Sequence, residues 1–416
     1  MNAAKYTLGT RSPDFAHVAE SVADLSAMLR ECDAIGRAVV VFGGGTLQGI
    51  GGVPARYDVA LDCSRLDRIL EHEPRDLTIA AEAGCTLAAL DQALAGAGRF
   101  LPLDAPRASL ATLGGTLASG WLGPRRATYG RPRDFVLGTT CVLADGTIAS
   151  AGGMVVKNVT GYDLSKLYVG SHGTLVALTR ANLRTLPLPP ARRLAIAALP
   201  EGTRARTVSH LAALPIEPTA ALIVKGFPKS IDGNDGVDGR IVILFEGSER
   251  TVDAATRELR SALGSAGVPE TRLLDREAGP AFARLIDAYV EPLGSRSMTY
   301  RSYGSPSQTT PRLDAFERVG HANELEVETI EDLRTGDVIA RISSRLTPDF
   351  AARAVAFDSQ RRTALAGARI VVAPERLRAR LDAWGAPPAS FATMKAIKAR
   401  FDPHGTFAPG RFVGKL

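Results

Sequence analysis

The sequence predicts an α+β protein with more than one domain. Short apolar runs of β-branched residues alternate with stretches of helical periodicity along the chain. Pro187, Pro189 and Pro190 separate two regions of different composition. The 416 residues exceed the usual length of one domain, and 45% apolar with 23% charged residues is an ordinary globular composition. No uncharged apolar run is long enough to cross a bilayer, so we expect no transmembrane segment.

The first region is predicted to begin with a helix that is followed by a buried strand. Residues 13–36 are predicted to form the helix, with Ser21 as its N-cap and Asp24 three residues later. Ala38–Phe42 is a continuous, valine-rich run, which is typical of a strand buried on both faces. Further predicted elements are the strands Tyr57–Leu61, Leu77–Ala81, Phe135–Leu143 and Thr174–Leu186 and the helix Leu87–Ala97.

The second region is predicted to form an α+β domain around an antiparallel sheet. Apolar residues at helical spacing indicate one helix, with Val252, Ala255, Leu259 and Leu263 on a single face. The predicted strands cover residues 192–199, 219–227, 240–245, 297–303, 323–329 and 337–343, and a strand at 369–372 and a helix at 391–400 follow near the end.

Three segments that contain glycine occur in order in the first region, at residues 43–52, 111–120 and 152–174. Glycine allows positive φ and close approach of the backbone to a ligand, and successive N–H groups in such turns bind anions. The first segment continues with further glycines and Pro54 instead of opening a helix as G-x-G-x-x-G, which disfavours a Rossmann site. Taken alone, the first segment is also explained by a tight glycine-rich hairpin, and the second by the start of a helix with small packing residues. Together they favour a long ligand that carries phosphates, and FAD is the best candidate.

Several blocks of sequence resemble a known family. They are Gly123-Pro124-Arg125-Arg126, Arg133–Gly138, Val156–Thr174, Phe401-Asp402-Pro403-x-Gly405 and Pro409-Gly410-Arg411. These blocks resemble the FAD-binding flavoproteins of the vanillyl-alcohol-oxidase type, and more closely the E-subunit family of bacterial glycolate oxidases. The resemblance covers most of residues 40–190 and the last dozen residues.

The resemblance implies two α/β subdomains that hold FAD between them, and a cap domain over the flavin ring. We place the FAD-binding domain at residues 1–190, with subdomains at about 1–105 and 106–190, the cap at 191–368, and a returning C-terminal segment at 369–416. By position, the pyrophosphate faces Gly43, Gly44, Gly45, Thr46 and Gly49. Thr112, Gly114, Gly115 and Ser119 form a second wall for phosphate and ribose, Gly161 and Tyr162 lie in a third flavin-lining loop, and Gly170, Gly173, Thr174 and Val176 approach the adenine side.

Two departures from the family pattern affect the expected site. Relatives that attach FAD covalently use a histidine in the first glycine loop, but no histidine lies between His17 and His72, so we expect noncovalent FAD. Relatives usually carry asparagine where this chain has Ala408, which implies the loss of a polar contact near the flavin.

Charge and cysteine content limit the partners. The net charge of +6 is mild. The basic residues Arg125, Arg126, Arg131 and Arg133 form one local cluster, which is an ion-paired loop, a phosphate contact or a docking site for an acidic partner. No nucleic-acid-binding module accompanies this cluster, so nucleic-acid binding is disfavoured. Cys32, Cys63, Cys85 and Cys141 form no C-x-x-C pair, so we expect no iron–sulfur cluster of ferredoxin spacing, no metal site and no disulfide framework. The expected location is the cytoplasm, with peripheral attachment to the inner membrane only through partners.

The catalytic residues are not identified from the sequence. The resemblance implies a histidine- and acid-rich segment in catalytic subunits, but Asp232–Gly236 has no flanking histidine, and His210 and His321 are isolated. Arg296, Arg301, Arg341 and Arg345 are candidates for binding a substrate carboxylate. We therefore expect a subunit of a glycolate-oxidase-like complex that passes electrons from a 2-hydroxy acid, with a second flavoprotein subunit and an iron–sulfur subunit as partners. The alternatives are a stand-alone FAD-dependent hydroxy-acid or alcohol dehydrogenase, and a non-catalytic assembly subunit that FAD stabilises.

Overall fold

The chain divides into two units, which are described separately. The computed structural model describes residues 3–154, 162–227, 239–268, 270–291, 294–344 and 349–416. The first unit contains residues 1–122, 130–188 and 373–416, and the second contains residues 123–129 and 189–372. Within the described ranges, no helix is both long enough and apolar enough to cross a membrane.

Strands and helices alternate along both units. The strands are β1 (Phe15–Val18), β2 (Val39–Phe42), β3 (Val59–Asp62), β4 (Ile69–Glu73), β5 (Thr78–Glu82), β6 (Arg99–Phe100), β7 (Val136–Val142), β8 (Ile148–Gly152), β9 (Ala177–Arg184), β10 (Leu186–Pro187), β11 (Ala191–Ala198), β12 (Ala220–Lys225), β13 (Gly239–Gly247), β14 (Arg272–Leu274), β15 (Ser297–Ser302), β16 (Glu326–Asp332), β17 (Val338–Ser343) and β18 (Arg369–Val372). The α-helices are α1 (Val22–Ala34), α2 (Leu87–Gly96), α3 (Leu113–Ser119), α4 (Arg126–Tyr129), α5 (Pro132–Phe135), α6 (Ser165–Tyr168), α7 (Arg204–Ala212), α8 (Glu249–Ser265), α9 (Ala278–Ala288), α10 (Thr309–Ala322), α11 (Phe350–Ala364), α12 (Glu375–Arg378) and α13 (Phe391–Phe401). Single turns of 3₁₀ helix cover Ala3–Tyr6, Gly294–Arg296, Pro306–Gln308 and Val413–Lys415.

The first unit contains a small parallel sheet and a larger antiparallel one. The parallel sheet has the strand order β1-β3-β2, and the antiparallel sheet has the order β4-β5-β9-β7-β8. Strand β2 is buried on both faces: Val39 packs in one apolar cluster with Leu25 and Leu29 of α1, while Val40 and Phe42 pack in another. This double burial explains the continuous valine-rich run in the sequence.

The prediction of one helix over residues 13–36 is wrong at its beginning. Residues 15–18 form β1, which pairs in parallel with β3, and the helix begins only after Ser21. The Ser21 side chain accepts a hydrogen bond from the Asp24 N–H at 3.1 Å, so the predicted N-cap is confirmed. The capping signal was local, whereas the parallel pairing depends on a strand more than forty residues away.

The second unit is built on an eight-stranded antiparallel sheet with the order β14-β11-β13-β12-β16-β17-β15-β18. Helix α8 buries the predicted stripe of Val252, Ala255, Leu259 and Leu263 in a core with residues of β11 and β13. The antiparallel sheet predicted for this region is therefore confirmed.

Candidate cofactor-binding site

One cleft in the first unit brings the three glycine-containing segments together. Phe42, Cys63 and Ala83, at or just after the ends of β2, β3 and β5, contribute to its lining. The predicted site residues that line it are Gly43, Gly44, Gly45, Thr46, Thr112, Gly114, Gly115, Ser119, Gly173 and Val176.

The first glycine loop packs closely against the second segment. A Cβ on Gly44 would lie 1.6 Å from the main-chain oxygen of Leu110, and one on Gly43 would lie 2.1 Å from Oγ1 of Thr112. Packing within the chain therefore explains why these two positions are glycine. Gly45 differs, since its φ is +71° and an added Cβ would meet no atom within 4 Å.

Consecutive main-chain N–H groups form a polar edge of the cleft. Among the hydrogen bonds of the described residues, none has an N–H of residues 43–47 as its donor. The loop closes just afterwards, where the N–H groups of Gln48 and Ile50 donate to the oxygens of Gly45 and Leu47 at 3.4 and 3.0 Å. Main-chain donors require a partner from solvent or from a ligand, and a run of donors in a turn is suited to an anion.

The second segment is the start of a helix that also lines the cleft. The Thr112 side chain caps α3 by accepting a hydrogen bond from the Gly115 N–H at 3.3 Å. Ser119 donates its hydroxyl hydrogen bond back to the oxygen of Thr116 at 3.0 Å. Gly114 allows close packing, because a Cβ there would lie 2.7 Å from the Cβ of Ala83. The hydroxyls of Thr112 and Ser119 are thus engaged within the helix.

The third wall is a turn at residues 170–173 that contains left-handed backbone. The N–H groups of Gly170 and His172 donate to the oxygens of Leu117 and Ala118 at 3.0 and 2.7 Å, which fixes the turn against the end of α3. His172 and Gly173 have φ values of +53° and +66°. A non-glycine residue in this conformation is strained. The His172 ring packs at 4.8 Å from the Trp384 ring and lines the cleft, a role for which the sequence carried no signal.

Four other predicted site residues, Gly49, Tyr162, Gly170 and Thr174, do not line the cleft. Gly170 is not among the residues that line the cleft; it lies against Gly120, whose added Cβ would come within 2.8 Å of it. Thr174 is buried, and its hydroxyl donates to the oxygen of Ser171 at 2.7 Å. Gly49 belongs to the first loop without lining the cleft, and the Tyr162 side chain is 95% exposed. Gly161, like Lys157, lies outside the described residues.

Two arginines that the sequence reasoning missed hold the first loop from the C-terminal segment. Arg411 is buried and lines the cleft, and its Nη2 donates to the oxygens of Gln48 and Ile50 at 2.9 and 3.3 Å. Arg378 donates from Nη2 to the oxygens of Gln48 and Gly51 at 3.2 and 3.0 Å. The only available signal was the arginine in the terminal Pro409-Gly410-Arg411 motif.

Burial shifts the pKa of both guanidinium groups downward. Burial, together with the nearby charge of Arg378, lowers the pKa of Arg411 to about 9, and Tyr57 acts weakly in the opposite direction. Burial lowers the pKa of Arg378 to about 10, partly opposed by Glu375. Both groups are protonated at neutral pH, so the loop has two positive charges behind it.

The terminal motif that contains Asp402 acts as a structural clamp. The carboxylate of Asp402 accepts hydrogen bonds from the N–H groups of Thr406 and Phe407, both at 2.8 Å. Lys398 donates to Asp402 at 2.5 Å and to the oxygen of Thr174 at 2.7 Å. The following Phe407 bridges in parallel to Val39 of β2, which brings the C-terminal segment to the cleft.

Ala408 has an apolar environment. Its side chain is 1% exposed and packs with Val40, Phe42 and Tyr57. It does not line the cleft, and its φ is +41°. Asparagine tolerates this backbone region better than most residues.

Two of the four arginines proposed for substrate binding, Arg301 and Arg341, are already engaged with carboxylates. Arg301 forms a buried ion pair with Asp337 at 2.8 Å, and Arg341 pairs with Glu328 at 3.3 Å. Arg296 is exposed, and Arg345 lies outside the described residues, as does Asp232–Gly236.

Two of the four arginines in the basic cluster, Arg125 and Arg126, are ion-paired within the second unit. Arg125 pairs with Glu246 at 3.4 Å, and Arg126 pairs with Asp337 at 2.8 Å. Of the three interpretations of this cluster, the ion-paired loop agrees with these contacts for both residues. Arg131 and Arg133 are exposed.

The four cysteines are buried and reduced, and Cys63 lines the cleft. Burial, aided by the charge of Asp62, raises the pKa of the Cys63 thiol to about 12, so it is not a thiolate at neutral pH. In the ranges that the structure describes, no group of three or more histidine, cysteine, aspartate or glutamate side chains is arranged to hold a metal.

Comparison with known proteins identifies the class of cofactor. Residues 13–152 match the family of FAD binding domains. The chain is 35% identical to glycolate oxidase subunit GlcE of Escherichia coli K12 over 56% of its own length and 66% of that subunit. It is 27% identical to glycolate oxidase subunit GlcD of Bacillus subtilis 168, over 97% of its length and 89% of that subunit. It is 37% identical to a D-lactate dehydrogenase of Archaeoglobus fulgidus, over 39% of its length and only 37% of that enzyme.

The resemblance to the E subunit is therefore not specific, since the D-subunit match extends over nearly the whole chain.

Solved structures agree on the fold. p-Cresol methylhydroxylase superimposes with a TM-score of 0.72 at 17% identity, over 95% of this chain and 88% of that one. A 4-ethylphenol oxidase from Gulosibacter chungangensis superimposes with a TM-score of 0.71 at 15% identity, over 98% and 92%. The chain is thus an FAD-binding flavoprotein with the two-subdomain fold and α+β cap of the vanillyl-alcohol-oxidase type, related in sequence to glycolate oxidase subunits and D-2-hydroxy-acid dehydrogenases.

Proposed function

We propose that the cleft holds FAD noncovalently and that the chain is an oxidoreductase subunit of a glycolate-oxidase-like complex. In this role it passes electrons from the oxidation of a 2-hydroxy acid through FAD. The observation that carries the proposal is the meeting of three glycine-containing segments around one cleft, with the N–H groups of residues 43–47 free of protein acceptors within the described chain.

The residues of the cleft fit the parts of FAD. The N–H groups of residues 43–47 are suited to the diphosphate, because they supply partial positive charge without a side chain. Gly45 leaves open space where a side chain would otherwise stand. Ala118, Val176 and Leu178 provide apolar wall for the uncharged parts. When bound, FAD accepts a hydride and returns electrons singly or in pairs.

Membership of a complex is supported by what the second unit contains. Its buried arginines are engaged with carboxylates, as for Arg301 and Arg341. His210 lies on α7 with its Nδ1 at 2.9 Å from the oxygen of Arg206, and His321 is an exposed residue of α10. These side chains do not form a set that takes a hydroxyl proton from a substrate. A partner flavoprotein would oxidise the hydroxy acid, and an iron–sulfur partner would take single electrons.

A second candidate is a stand-alone hydroxy-acid dehydrogenase. The match to a D subunit over 97% of the chain favours it, as does the match to a D-lactate dehydrogenase. In that case the isolated chain has its own substrate pocket.

Anaerobic reduction of the flavin separates the two candidates. The purified chain is loaded with FAD, and the oxidised flavin absorbance is followed after glycolate or D-lactate is added. We expect no bleaching by the isolated chain, and bleaching once a partner flavoprotein subunit of the glycolate oxidase type is added. Bleaching by the isolated chain would establish the second candidate instead. Activity of the partners with an FAD-free form of this chain would leave it only an assembly role.

Acid precipitation of the loaded protein tests how FAD is held. We expect all of the flavin in the supernatant, because the first loop has no histidine for a covalent bond. Flavin that remains with the precipitate would contradict noncovalent binding, while FAD-dependent thermal stabilisation would still report the site itself.

A further inference from the structure

We infer that Arg411 is a binding residue for the diphosphate of the cofactor and supplies its counter-charge from behind the first glycine loop. The inference rests on the proposed FAD site and assigns a specific charge to it. Three observations on the C-terminal segment and the first loop carry it.

The first observation is that Arg411 is buried without an acidic partner. It is 4% exposed, and no carboxylate of the described chain lies within ion-pair distance of it. Its Nη1 is buried and has no hydrogen-bond partner among the described residues. A buried charge is costly unless it is paired, so an arginine in this position indicates that a ligand provides the negative charge.

The second observation is its position at the cleft. Arg411 lines the same cleft as Gly43–Thr46, whereas Arg378, which contacts the same loop, does not. Arg411 uses only Nη2 for the loop, at the oxygens of Gln48 and Ile50, so Nη1 remains for an anion.

The third observation is the polarity of the loop itself. The carbonyl oxygens of Gln48, Ile50 and Gly51 face the two arginines, while the N–H groups of residues 43–47 have no protein acceptor in the described chain. The arginines therefore bind carbonyl oxygens in the second half of the loop. The unpartnered N–H groups of residues 43–47, in the first half of the loop, and the Nη1 of Arg411 are left for the same anion, and a diphosphate has enough oxygens to accept from both.

The test compares FAD with riboflavin, which has the same ring and no phosphate. Dissociation constants are measured by flavin fluorescence for the wild-type chain, Arg411→Gln, Arg411→Lys and Arg378→Gln. We expect Arg411→Gln to weaken FAD binding by about 10- to 100-fold, the range of a charge-assisted hydrogen bond, and to leave riboflavin binding within about twofold. Arg411→Lys retains the charge and should recover most of the FAD affinity. Arg378→Gln is the matched control and should lose much less.

Two results would overturn the inference. Equal weakening of FAD and riboflavin by Arg411→Gln would mean that the side chain only supports the loop. Unchanged FAD affinity would mean that it does not reach the diphosphate. If Arg411→Gln does not fold, competition by inorganic pyrophosphate is measured instead, with the wild-type chain and Arg411→Lys. Pyrophosphate should displace FAD from both proteins. Failure of pyrophosphate to compete with FAD would count against the assignment of Arg411. Riboflavin binding is measured for all variants. If a variant still binds riboflavin, a loss of FAD affinity reports the diphosphate contact and not failure of the whole FAD site.

Discussion

The buried arginines of the two units differ in what neutralises them. In the second unit, Arg301 pairs with Asp337 and Arg361 pairs with Asp358, both at 2.8 Å and with all four side chains almost inaccessible. In the first unit, the buried Arg411 and the half-buried Arg378 contact main-chain oxygens instead, and neither forms an ion pair within the described residues. Arg411 differs from Arg378 because it also lines the cleft, where an anionic ligand can supply the missing negative charge. Of the arginines that the sequence suggested for substrate binding, Arg301 and Arg341 are already engaged with carboxylates of the second unit.

The largest expected effect comes from breaking a pair in the second unit. Asp337 is 5% exposed in its side chain and binds both Arg126 and Arg301 at 2.8 Å. Asp337→Asn removes a shared carboxylate from the buried Arg301 and the half-buried Arg126, so we expect a loss of about 3–5 kcal/mol in the free energy of unfolding, measured by urea titration. Asp253→Asn is the matched control, since Asp253 also pairs with an arginine but is 52% exposed, and it should cost less than about 1 kcal/mol. Similar losses for both would show that burial does not decide the contribution of these pairs.

A matched pair of glycines separates backbone strain from ligand contact in the first unit. Gly36 and Gly45 both have φ of +71°, and an added Cβ at either meets no atom within 4 Å. Alanine at each position should therefore lower the free energy of unfolding by a similar amount, about 1–2 kcal/mol. Only Gly45→Ala places a methyl group in the cleft, so it alone should weaken FAD binding, measured by fluorescence titration below the unfolding transition. Equal FAD affinity for the two variants would exclude the first loop from the site.

The smallest expected effect is a pH dependence of FAD affinity. A bound diphosphate favours the charged guanidinium and so raises the pKa of Arg411 above its value of about 9 in the free protein. FAD affinity should accordingly be constant below pH 9 and decline by at most tenfold per pH unit above it. The groups that face Arg411 are Arg378 and Tyr57, and burial raises the pKa of Tyr57, so the phenol stays neutral over this range. Arg411→Gln should abolish this decline in FAD affinity. If the variant shows the same pH profile as the wild-type chain, the decline belongs to the titration of another group.

Much of the fold followed from local patterns. The Ser21 cap, the α8 stripe and the valine-rich β2 were each predicted from residues close in sequence, and each is present. The beginning of the chain was predicted wrongly, because residues 15–18 form a strand only through pairing with β3. The helical pattern of residues 13–36 gave no information on this pairing, because β3 is more than forty residues away in the sequence.

The candidate site was predicted in part. Ten of the predicted residues line the cleft, while Gly49, Gly170, Tyr162 and Thr174 do not. Gly170 and Thr174 belong to the correct turn, but packing against Gly120 and the hydroxyl bond to Ser171 occupy them. Arg411 and His172 were missed because their positions depend on the C-terminal segment, which reaches the cleft through the bridge between Val39 and Phe407.

The sequence by itself determined where the backbone can turn sharply and which strands are buried, because glycine conformation and apolar periodicity are properties of neighbouring residues. Only the tertiary structure decided which glycines pack against the chain and which leave open space at the cleft. It also decided which arginines have a carboxylate within reach. The physical reason is that electrostatic pairing and steric contact depend on distance in space, and the segments that meet at this cleft are separated by up to several hundred residues along the chain.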